Sequence, residues 1–260
     1  LYLKSPKKQK AHNIIIAEEN SELNIISGCA SHPGLTTGMH LGISEFYVKK
    51  NAKLSFTMIH NWENNIEVRP RSAAIVEDGG VYISNYIIMN PVKIVQSYPT
   101  VHLNGDYSTA IMSSVIVAMD NSIVDTGSRV IIKGKGSSAE ILSRAISKGG
   151  TIYSRGDIVG DSPDAKGHLE CMGMMLSEQG SIIAIPELEA KHPNVDLSHE
   201  AAIGKIAEEE IFYLMSRGFT REEATAAIVR GFLDIEIKGL PSALKKKIDE
   251  AINLVEKELI

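Results

Sequence analysis

The sequence predicts a mainly β protein that ends in a small α-helical module. Two patterns predict this fold class. Short β-rich runs follow one another through the first three quarters of the chain, with turn residues between them and no helical pattern. After Ser198 the apolar spacing changes from two residues to about 3.6 residues. We therefore expect an extended, Lys-rich lead-in over residues 1–12, a β core over 13–197 and a helical module over 198–260.

The β region consists of runs with partial alternation, of which residues 43–48 and 52–59 are examples. Turn sequences such as Asp-Gly-Gly at 78–80 and Asn-Gly-Asp at 104–106 separate the runs. We interpret Gly-Lys-Gly at 134–136 as another turn, because it lies between strand-like runs. A sandwich, a barrel and a β-solenoid all fit this pattern. Periodicity does not choose among them, and no repeat of fixed length stands out.

The helical module has recognisable ends. Ile203, Ile206, Ile211 and Leu214 recur at helical spacing, and Gly218 is suited to a left-handed residue after a helix. A capping box formed by Thr220 and Glu223 predicts the start of a second helix. The apolar stripe of that helix comprises Ala224, Ala227, Ile228 and Phe232. Pro241 predicts the start of a third helix. The module is too small for a core of its own, so these stripes face the β domain or another protein.

Composition excludes several classes of protein. The chain has 260 residues, 43% of them hydrophobic, and a formal charge of −5 with a pI near 5.9, so nucleic acid is not an expected partner. No apolar run approaches the roughly 20 residues of a membrane helix. Only Cys29 and Cys171 are cysteines, and neither belongs to a CxxC pattern. That excludes a disulfide framework and a zinc finger, and we expect a cytoplasmic protein.

Enzyme motifs are absent from the sequence: there is no P-loop, GxSxG, HExxH or nucleotide-binding GxGxxG. We therefore do not expect a self-contained enzyme. Cys171, His199 and Glu200 offer a thiolate, an imidazole and a carboxylate, a set that could hold iron or zinc. The competing interpretation is structural. A single cysteine is often a small buried hydrophobic residue, and a His-Glu pair can simply open a helix.

A second candidate region surrounds Cys29, which lies in a turn-rich segment where an accessible thiol is conceivable. His60 and Trp62 follow at the end of a β-rich run. A Trp at such a place more often packs than forms a site, and it is the only Trp in the chain.

Several segments resemble the SufB/SufD family of iron–sulfur cluster assembly proteins. They are HEAAIGKI at 199–206, EIFYLMSRGF at 210–219, ATAAIVRGFL at 224–233, and shorter blocks at 125–128, 143–150 and 154–156. The resemblance covers about residues 25–239. It implies a right-handed parallel β-helix followed by helices that dock onto SufC, an ABC-type ATPase. The residues expected to bind that partner are Phe212, Tyr213, Arg217 and Phe232.

The resemblance is closer to SufB than to SufD. Gly-His-x-x-Cys at 167–171 reproduces the SufB scaffold cysteine, Cys171, and the segment around Cys29 resembles a Gly-Cys-x-x-Pro block. His60 stands where SufB usually has Gln, just before the Asn-Trp pair that includes Trp62. SufD contributes the tail histidine, here His199. The resemblance therefore implies a homodimer with Cys171 of one chain near His199 of the other, or a SufB/SufD-type heterodimer.

The implied activity is assembly of a transient iron–sulfur cluster on Cys171, with His199 and Glu200 as further ligands. Sulfur comes from a cysteine desulfurase system, with a relay role for Cys29, His60 and Trp62. Some complexes of the family contain flavin, but no residue here can be assigned to it. Two alternatives stay open: a SufD-like subunit that anchors SufC without a cluster, and a β-helix enzyme acting on polysaccharide. The second is disfavoured by the 5% aromatic content and by the lack of a recognisable carboxylate pair.

Overall fold

A computed structural model describes residues 1–233, which form a parallel β-solenoid of about seven turns followed by two helices. The parallel β-helix implied by the resemblance is confirmed. Its strands are β1 (Tyr2–Leu3), β2 (Lys8–Ala17), β3 (Glu22–Ser31), β4 (Gly38–Val48), β5 (Lys53–Asn61), β6 (Ile66–Val68), β7 (Arg71–Val76), β8 (Val81–Ile88), β9 (Ile94–Ser97), β10 (Thr100–Leu103), β11 (Thr109–Met119), β12 (Ile123–Ile132), β13 (Ser138–Lys148), β14 (Thr151–Gly160), β15 (Lys166–Met175), β16 (Ser181–Ala190) and β17 (Asp196–Lys205). The helices are α1 (Glu208–Ser216) and α2 (Arg221–Leu233). The third helix predicted from Pro241 lies outside the described residues.

The strands build two parallel sheets that face each other. One sheet has the order β1-β3-β5-β8-β11-β13-β15-β17, and the other contains β2, β4, β6, β7, β9, β10, β12, β14 and β16. Thr109 lies beside Ser138, Ser138 beside Lys166 and Lys166 beside Asp196, which are offsets of 29, 28 and 30 residues. Because pairing is in register, residues one turn apart face the same side of a sheet.

One corner of the solenoid is a column of left-handed residues, one from each of the first six turns. Asn20, Asn51, Gly79, Tyr107, Gly136 and Asp164 all have positive φ and follow one another at the turn repeat. Asn and Asp tolerate this conformation better than other residues with side chains. Asn51 Nδ2 donates to Asn20 Oδ1 at 3.2 Å, so the column is also joined between turns. The turn expected at 134–136 is confirmed.

The space between the sheets is filled mainly by aliphatic side chains, with an aromatic group of Phe46, Phe56 and Tyr82 near the first turns. The apolar positions alternate along most strands, as expected for strands with one buried face. β11 is an exception, because residues 115–119 are buried on both faces. The outer face of this part of the sheet is covered by α2.

Helix α2 packs against the outside of the sheet that contains β8, β11 and β13. Val229 and Leu233 are buried in a cluster with residues of these strands. The predicted capping box is confirmed, since the Glu223 N–H donates to Thr220 Oγ1 at 3.2 Å and the Thr220 N–H donates to Glu223 Oε2 at 2.8 Å. Gly218 has a φ of 99°, as predicted for the residue after α1.

The structure differs from the sequence-based boundaries at both ends of the β core. Residues 8–12 belong to β2, which pairs with β4, so most of the expected lead-in is regular strand. Residues 198–205 belong to β17 and pair with β15 rather than forming a helix. Ile203 is therefore an exposed strand residue, and the helices begin at Glu208. Pairing with the preceding turn outweighs the helical spacing of these apolar residues.

The stripe of α2 is also rotated from its expected position: Ala227 is exposed, whereas Val229 is buried. No helix among residues 1–233 is long and apolar enough to cross a membrane.

Candidate functional site

The two cysteines both point into the solenoid, far apart along its axis. Cys29 lies on β3 and Cys171 on β15, with 1% and 2% of their surfaces exposed, and both are free thiols. Their strands are five positions apart in one sheet. With about 4.8 Å between neighbouring strands, the separation along the axis is about 24 Å. The turn-rich sequence around Cys29 suggested an accessible thiol. In the structure this segment belongs to strand β3, and pairing of β3 with β5 places the thiol in the interior.

Soft donor atoms surround Cys29. Its Sγ lies 3.9 Å from His40 Nε2 on β4 and 3.7 Å from Met58 Sδ on β5. The Nδ1 of His40 lies 2.9 Å from Gln9 Oε1, which fixes the imidazole plane. Sequence reasoning missed Met58 because it reaches Cys29 through pairing of β3 with β5 at an offset of 31 residues, and it missed His40 because β4 faces β3 from the opposite sheet.

His60 and Trp62 form the floor of this region. Both are buried, and Trp62 lies against the rings of His40 and His60, with centroid distances of 5.1 and 5.7 Å. Burial lowers the pKa of His60 to about 3 and that of His40 to about 4, so both imidazoles are neutral at pH 7. The Nε1 of Trp62 is buried and has no hydrogen-bond partner among the described residues. The structure thus brings His60 and Trp62 to the Cys29 region.

A cavity of about 60 Å³ adjoins Cys29. A line of inward-facing residues extends from it towards the other thiol, one residue per turn. In order of strand pairing the line is Met58, Tyr86, Ser114, Ser143 and Cys171. The opposite sheet contributes a second line of hydroxyls, Ser97, Thr126 and Ser154. The interior between the two cysteines is therefore partly polar rather than uniformly aliphatic.

Cys171 has hydroxyl neighbours. Ser154 Oγ lies 3.9 Å from Cys171 Sγ and donates to Ser143 Oγ at 3.0 Å. Burial raises the pKa of the Cys171 thiol, and the contact with Ser154 opposes this shift only in part. At neutral pH the Cys171 thiol is therefore protonated in this structure. A protonated thiol is a poor metal ligand until it is exposed or deprotonated.

His199 and Glu200 lie on β17, the last strand of the sheet within residues 1–233, and point to opposite sides. His199 pairs with the buried Leu169, so it shares the inner side with Cys171, one turn further along. His199 and Cys171 are therefore diagonal neighbours on adjacent strands. From the strand spacing and the rise per residue, their Cα atoms are about 8 Å apart. Glu200 pairs with Glu170 on the outer side. One chain thus brings His199 to the side of Cys171 but does not bring Glu200 there.

The outer side carries a different group of donors. Ligand atoms of His168, Glu170 and Glu200 lie within 4.8 Å of one another. The Nδ1 of His168 lies 2.9 Å from Ser198 Oγ, and Glu170 is ion-paired with Arg144. Sequence reasoning missed His168 and Glu170 as partners of Glu200. The signal that could have found them is the alternation of β15 and its register with β17.

The comparisons with known proteins agree on one family. A family model described as SUF system FeS cluster assembly, SufBD core domain, matches residues 2–232. An iron–sulfur cluster assembly SufBD family protein of Archaeoglobus fulgidus is 66% identical over 260 residues, which is all of this chain and 70% of that protein. The chain belongs to the SufBD family.

Other SufBD relatives are longer than this chain as well. A homologue from Methanothermobacter thermautotrophicus (strain Winter) is 53% identical over 247 residues, covering 95% of this chain and 60% of the relative. A Pyrococcus horikoshii family protein is 33% identical over 255 residues, covering 98% of this chain and 57% of the relative. The matched SufBD core includes the solenoid and both helices, with Cys29, Cys171 and the β17 residues inside it.

The helices of this SufBD chain present aromatic residues to solvent. Phe212 and Tyr213 on α1 are 57% and 59% exposed, and the Arg217 guanidinium lies 5.2 Å from the Tyr213 ring centroid. Phe232 is placed differently. It packs partly against the solenoid, with the Arg144 guanidinium 6.0 Å from its ring centroid. Of the four residues expected to bind a partner, three therefore share an exposed surface.

Proposed function

We propose that this chain is the SufB-like scaffold of a SUF system, on which a nascent iron–sulfur cluster is built at Cys171. Sulfur comes from a cysteine desulfurase system, and a SufC-type ABC ATPase supplies the nucleotide hydrolysis, so the chain itself is not an enzyme. Assembly takes place in the cytoplasm, where free thiols such as Cys29 and Cys171 persist. The cluster is cargo that leaves the scaffold after assembly.

The position of Cys171 one turn inside the end of the solenoid carries this proposal. Only β16 and β17 lie beyond its turn within residues 1–233, and both end their sheets with unpaired edges. Ile183, Leu188 and Ile203 expose apolar surface on these two strands. An unpaired, apolar strand edge is a ready surface for another strand. A second copy of the chain, or a SufD-type subunit, covers this end and brings its own His199 equivalent to the cluster.

Mixed ligation suits a cluster that must be handed on. A Cys171 thiolate with imidazole and carboxylate ligands holds iron less tightly than four thiolates do. Glu200 faces the outer side of β17 within one chain, so it reaches the same cluster from the partner's β17 or after the last turn moves.

Because Cys171 is buried, the proposed role of the ATPase is to help expose it. A thiol with 2% of its surface exposed and a raised pKa is protected until the last turn is displaced. Nucleotide binding by the ATPase changes the equilibrium between closed and open states only if its contacts differ between them. The exposed residues Phe212 and Tyr213 on α1, with Arg217 just after it, are the proposed docking site, and α1 closely follows β17. Docking at α1 thus acts close to the cover of Cys171.

The interior supports a sulfur relay from Cys29. Hydroxyls of Ser114, Ser143 and Ser154 line the way from the Cys29 cavity to Cys171. The neutral imidazole of His60 and the unpaired Nε1–H of Trp62 add polar groups at the start of this path. Direct transfer over about 24 Å is impossible, so the outer sulfur of a Cys29 persulfide passes to the Cys171 thiolate, leaving Cys29 as a thiolate, only in a state that brings the two sulfur atoms together.

Anaerobic reconstitution with ferrous iron and sulfide tests the scaffold. Wild type is compared with Cys171→Ala, His199→Ala and Glu200→Ala by optical and Mössbauer spectra. The exposed carboxylate of Glu189 on β16 provides a matched control, Glu189→Ala. We expect a cluster in wild type and in the control, none in Cys171→Ala, and a weakened one in the other two variants. A cluster that is indifferent to Cys171→Ala contradicts the proposal.

The second candidate is a SufD-like subunit that anchors the ATPase without holding a cluster. Burial of Cys171 in the aliphatic core favours it, because a cysteine with a purely structural role is also buried. This candidate predicts that wild type binds the ATPase but forms no cluster in the same experiment.

A further inference from the structure

We propose that Cys29, His40 and Met58 form a binding site for one Cu(I) ion inside the solenoid. The site goes beyond the scaffold function, and it stands whether or not Cys29 relays sulfur. Three side chains from three strands meet there: a thiol from β3, an imidazole from β4 and a thioether from β5. Thiolate and thioether are the ligand types that favour Cu(I), and imidazole also suits copper.

The distances from Cys29 Sγ to the other two donors fit a trigonal site. Bonds from a first-row metal are about 2.0 Å to imidazole nitrogen and about 2.3 Å to thiolate sulfur, so trigonal ligation puts sulfur and nitrogen about 3.7 Å apart and two sulfurs about 4.0 Å apart. The observed distances from Cys29 Sγ are 3.9 Å to His40 Nε2 and 3.7 Å to Met58 Sδ. His40 and Met58 therefore each lie at the distance from Cys29 that a shared metal ion requires.

His40 is held with its free nitrogen towards the thiol. Gln9 Oε1 can only accept a hydrogen bond, so the Nδ1 of His40 carries the proton and donates over 2.9 Å. The lone pair is then on Nε2, the nitrogen nearest Cys29. Trp62 lies beside the imidazole at 5.1 Å with an angle of 33° between the ring planes and limits its rotation. Such an outer partner is typical of histidines that ligate metals.

Charge and burial select a monovalent ion. Cys29 and His40 are both almost fully buried, with 1% and 2% of their surfaces exposed. A Cys29 thiolate and Cu(I) together are neutral, whereas the same donors with a divalent ion leave an uncompensated positive charge in the interior. Burying an unpaired charge is strongly unfavourable. The thioether is a soft ligand, which further favours Cu(I) over hard divalent ions such as Mg²⁺, Ca²⁺ and Mn²⁺.

The adjoining cavity provides room for the ion. Its volume is about 60 Å³, and Cys29, His40 and Met58 are all among the residues that line it. Met58 is only partly buried and has a flexible side chain, so it can move to admit the ion and then complete the site.

Competition for Cu(I) under anaerobic conditions tests this site. The full chain is titrated against the Cu(I) complex of bicinchoninate, with no added iron or sulfide, so the result is independent of cluster assembly. Wild type is compared with Cys29→Ser, His40→Gln and Met58→Leu. Two matched controls are Cys171→Ser and Met112→Leu, since Met112 also lines the cavity. X-ray absorption at the copper edge gives the ligands in the wild-type protein.

We expect one Cu(I) per chain, with two sulfur neighbours and one nitrogen neighbour. Cys29→Ser should abolish this binding, and Met58→Leu or His40→Gln should each weaken it by about ten-fold or more, while both controls retain it. Retention of wild-type affinity in Cys29→Ser, or loss of binding in Cys171→Ser, overturns the proposal. If Cys29→Ser does not fold, as judged by circular dichroism, Met58→Leu and the absorption spectrum decide. A coordination sphere without nitrogen also overturns it.

Discussion

The two buried cysteines differ in the side chains around them. Cys29 faces an imidazole and a thioether, whereas Cys171 has the hydroxyls of Ser143 and Ser154 nearby. Hydroxyls are weak ligands for iron, so they leave the remaining coordination sites at Cys171 to groups that arrive from the end of the solenoid. This difference supports the proposal that Cys29 passes sulfur on and that the cluster is assembled at Cys171.

Stability should fall in mild acid because His60 is buried in its neutral form. Its pKa is lowered from 6.5 to about 3 by burial. Between these values the unfolded chain binds a proton that the folded chain does not, so stability is full above about pH 6.5 and decreases as pH falls. From pH 7 to pH 5 we expect a loss of about 2 kcal/mol in the free energy of unfolding from this group. Urea unfolding at both pH values measures it.

The variant His60→Gln isolates this contribution. Glutamine does not titrate, so the difference in unfolding free energy between pH 7 and pH 5 should shrink by about the same 2 kcal/mol. His12→Gln, at an exposed histidine on β2, should leave the difference nearly unchanged. An unaltered pH dependence in His60→Gln would show that this imidazole is not held neutral.

At the scale of single elements, α2 should detach before the solenoid unfolds. Val229 is fully buried against the outer face of the sheet, whereas Ala227 is exposed. Val229→Ala should weaken the packing of α2 by about 2 kcal/mol, from lost apolar burial and the cavity left behind. Amide hydrogen exchange should accelerate in α2 and stay slow in β11 and β13. Ala227→Ser serves as the control, and equal acceleration in the β11 core would contradict a separate opening of α2.

Local signals in the sequence predicted the ends of elements well. The capping box at Thr220 and the left-handed Gly218 depend on a few neighbouring residues, and both are present in the structure. The strand β17 could not be predicted in this way. Ile203 and Ile206 fit a helical spacing, but β17 gains a full ladder of hydrogen bonds to β15, which only the tertiary fold supplies.

That one misassignment also hid the arrangement of the proposed metal ligands. In a helix the neighbours His199 and Glu200 would both lie near its first turn. In a strand they point to opposite sides, His199 inwards with Leu169 and Glu200 outwards with Glu170. The sequence therefore offered His199 and Glu200 as candidate ligands, but it did not predict their placement on opposite sides of β17.

At the scale of the whole molecule, the spacing between turns is set by contacts that leave no room for side chains. A Cβ at Gly134 would lie 1.7 Å from the carbonyl oxygen of Gly105, one turn earlier. We expect Gly134→Ala to destabilise the protein by more than about 4 kcal/mol. The added Cβ would clash with backbone atoms of the preceding turn, which cannot move aside as a flexible side chain can. Thermal unfolding measures this effect. Gly204→Ala, where a Cβ meets nothing within 4 Å, should be nearly neutral, and similar losses in both variants would contradict this packing.

The repeat itself was invisible in the sequence for a physical reason. The left-handed corner accepts Asn51, Gly79, Tyr107 and Asp164 at equivalent positions. The turns also vary from 28 to 31 residues, as the offsets from Ser138 to Lys166 and from Glu22 to Lys53 show. A backbone conformation repeats here without a repeated residue type, so only the structure reveals the period.

Mixing two variants, one without Cys171 and one without His199, tests most directly whether the cluster forms between chains. Cys171→Ala and His199→Ala chains are mixed, allowed to exchange subunits, and reconstituted anaerobically with iron and sulfide. In a mixed dimer one interface site regains an intact Cys171 and an intact His199 from different chains, while the other lacks both. We predict that the mixture forms more cluster than the same two variants reconstituted separately, of which Cys171→Ala forms none and His199→Ala a weakened one. If wild type forms a cluster and the mixture shows no such gain, the ligands belong to one chain, and assembly at a shared interface is wrong.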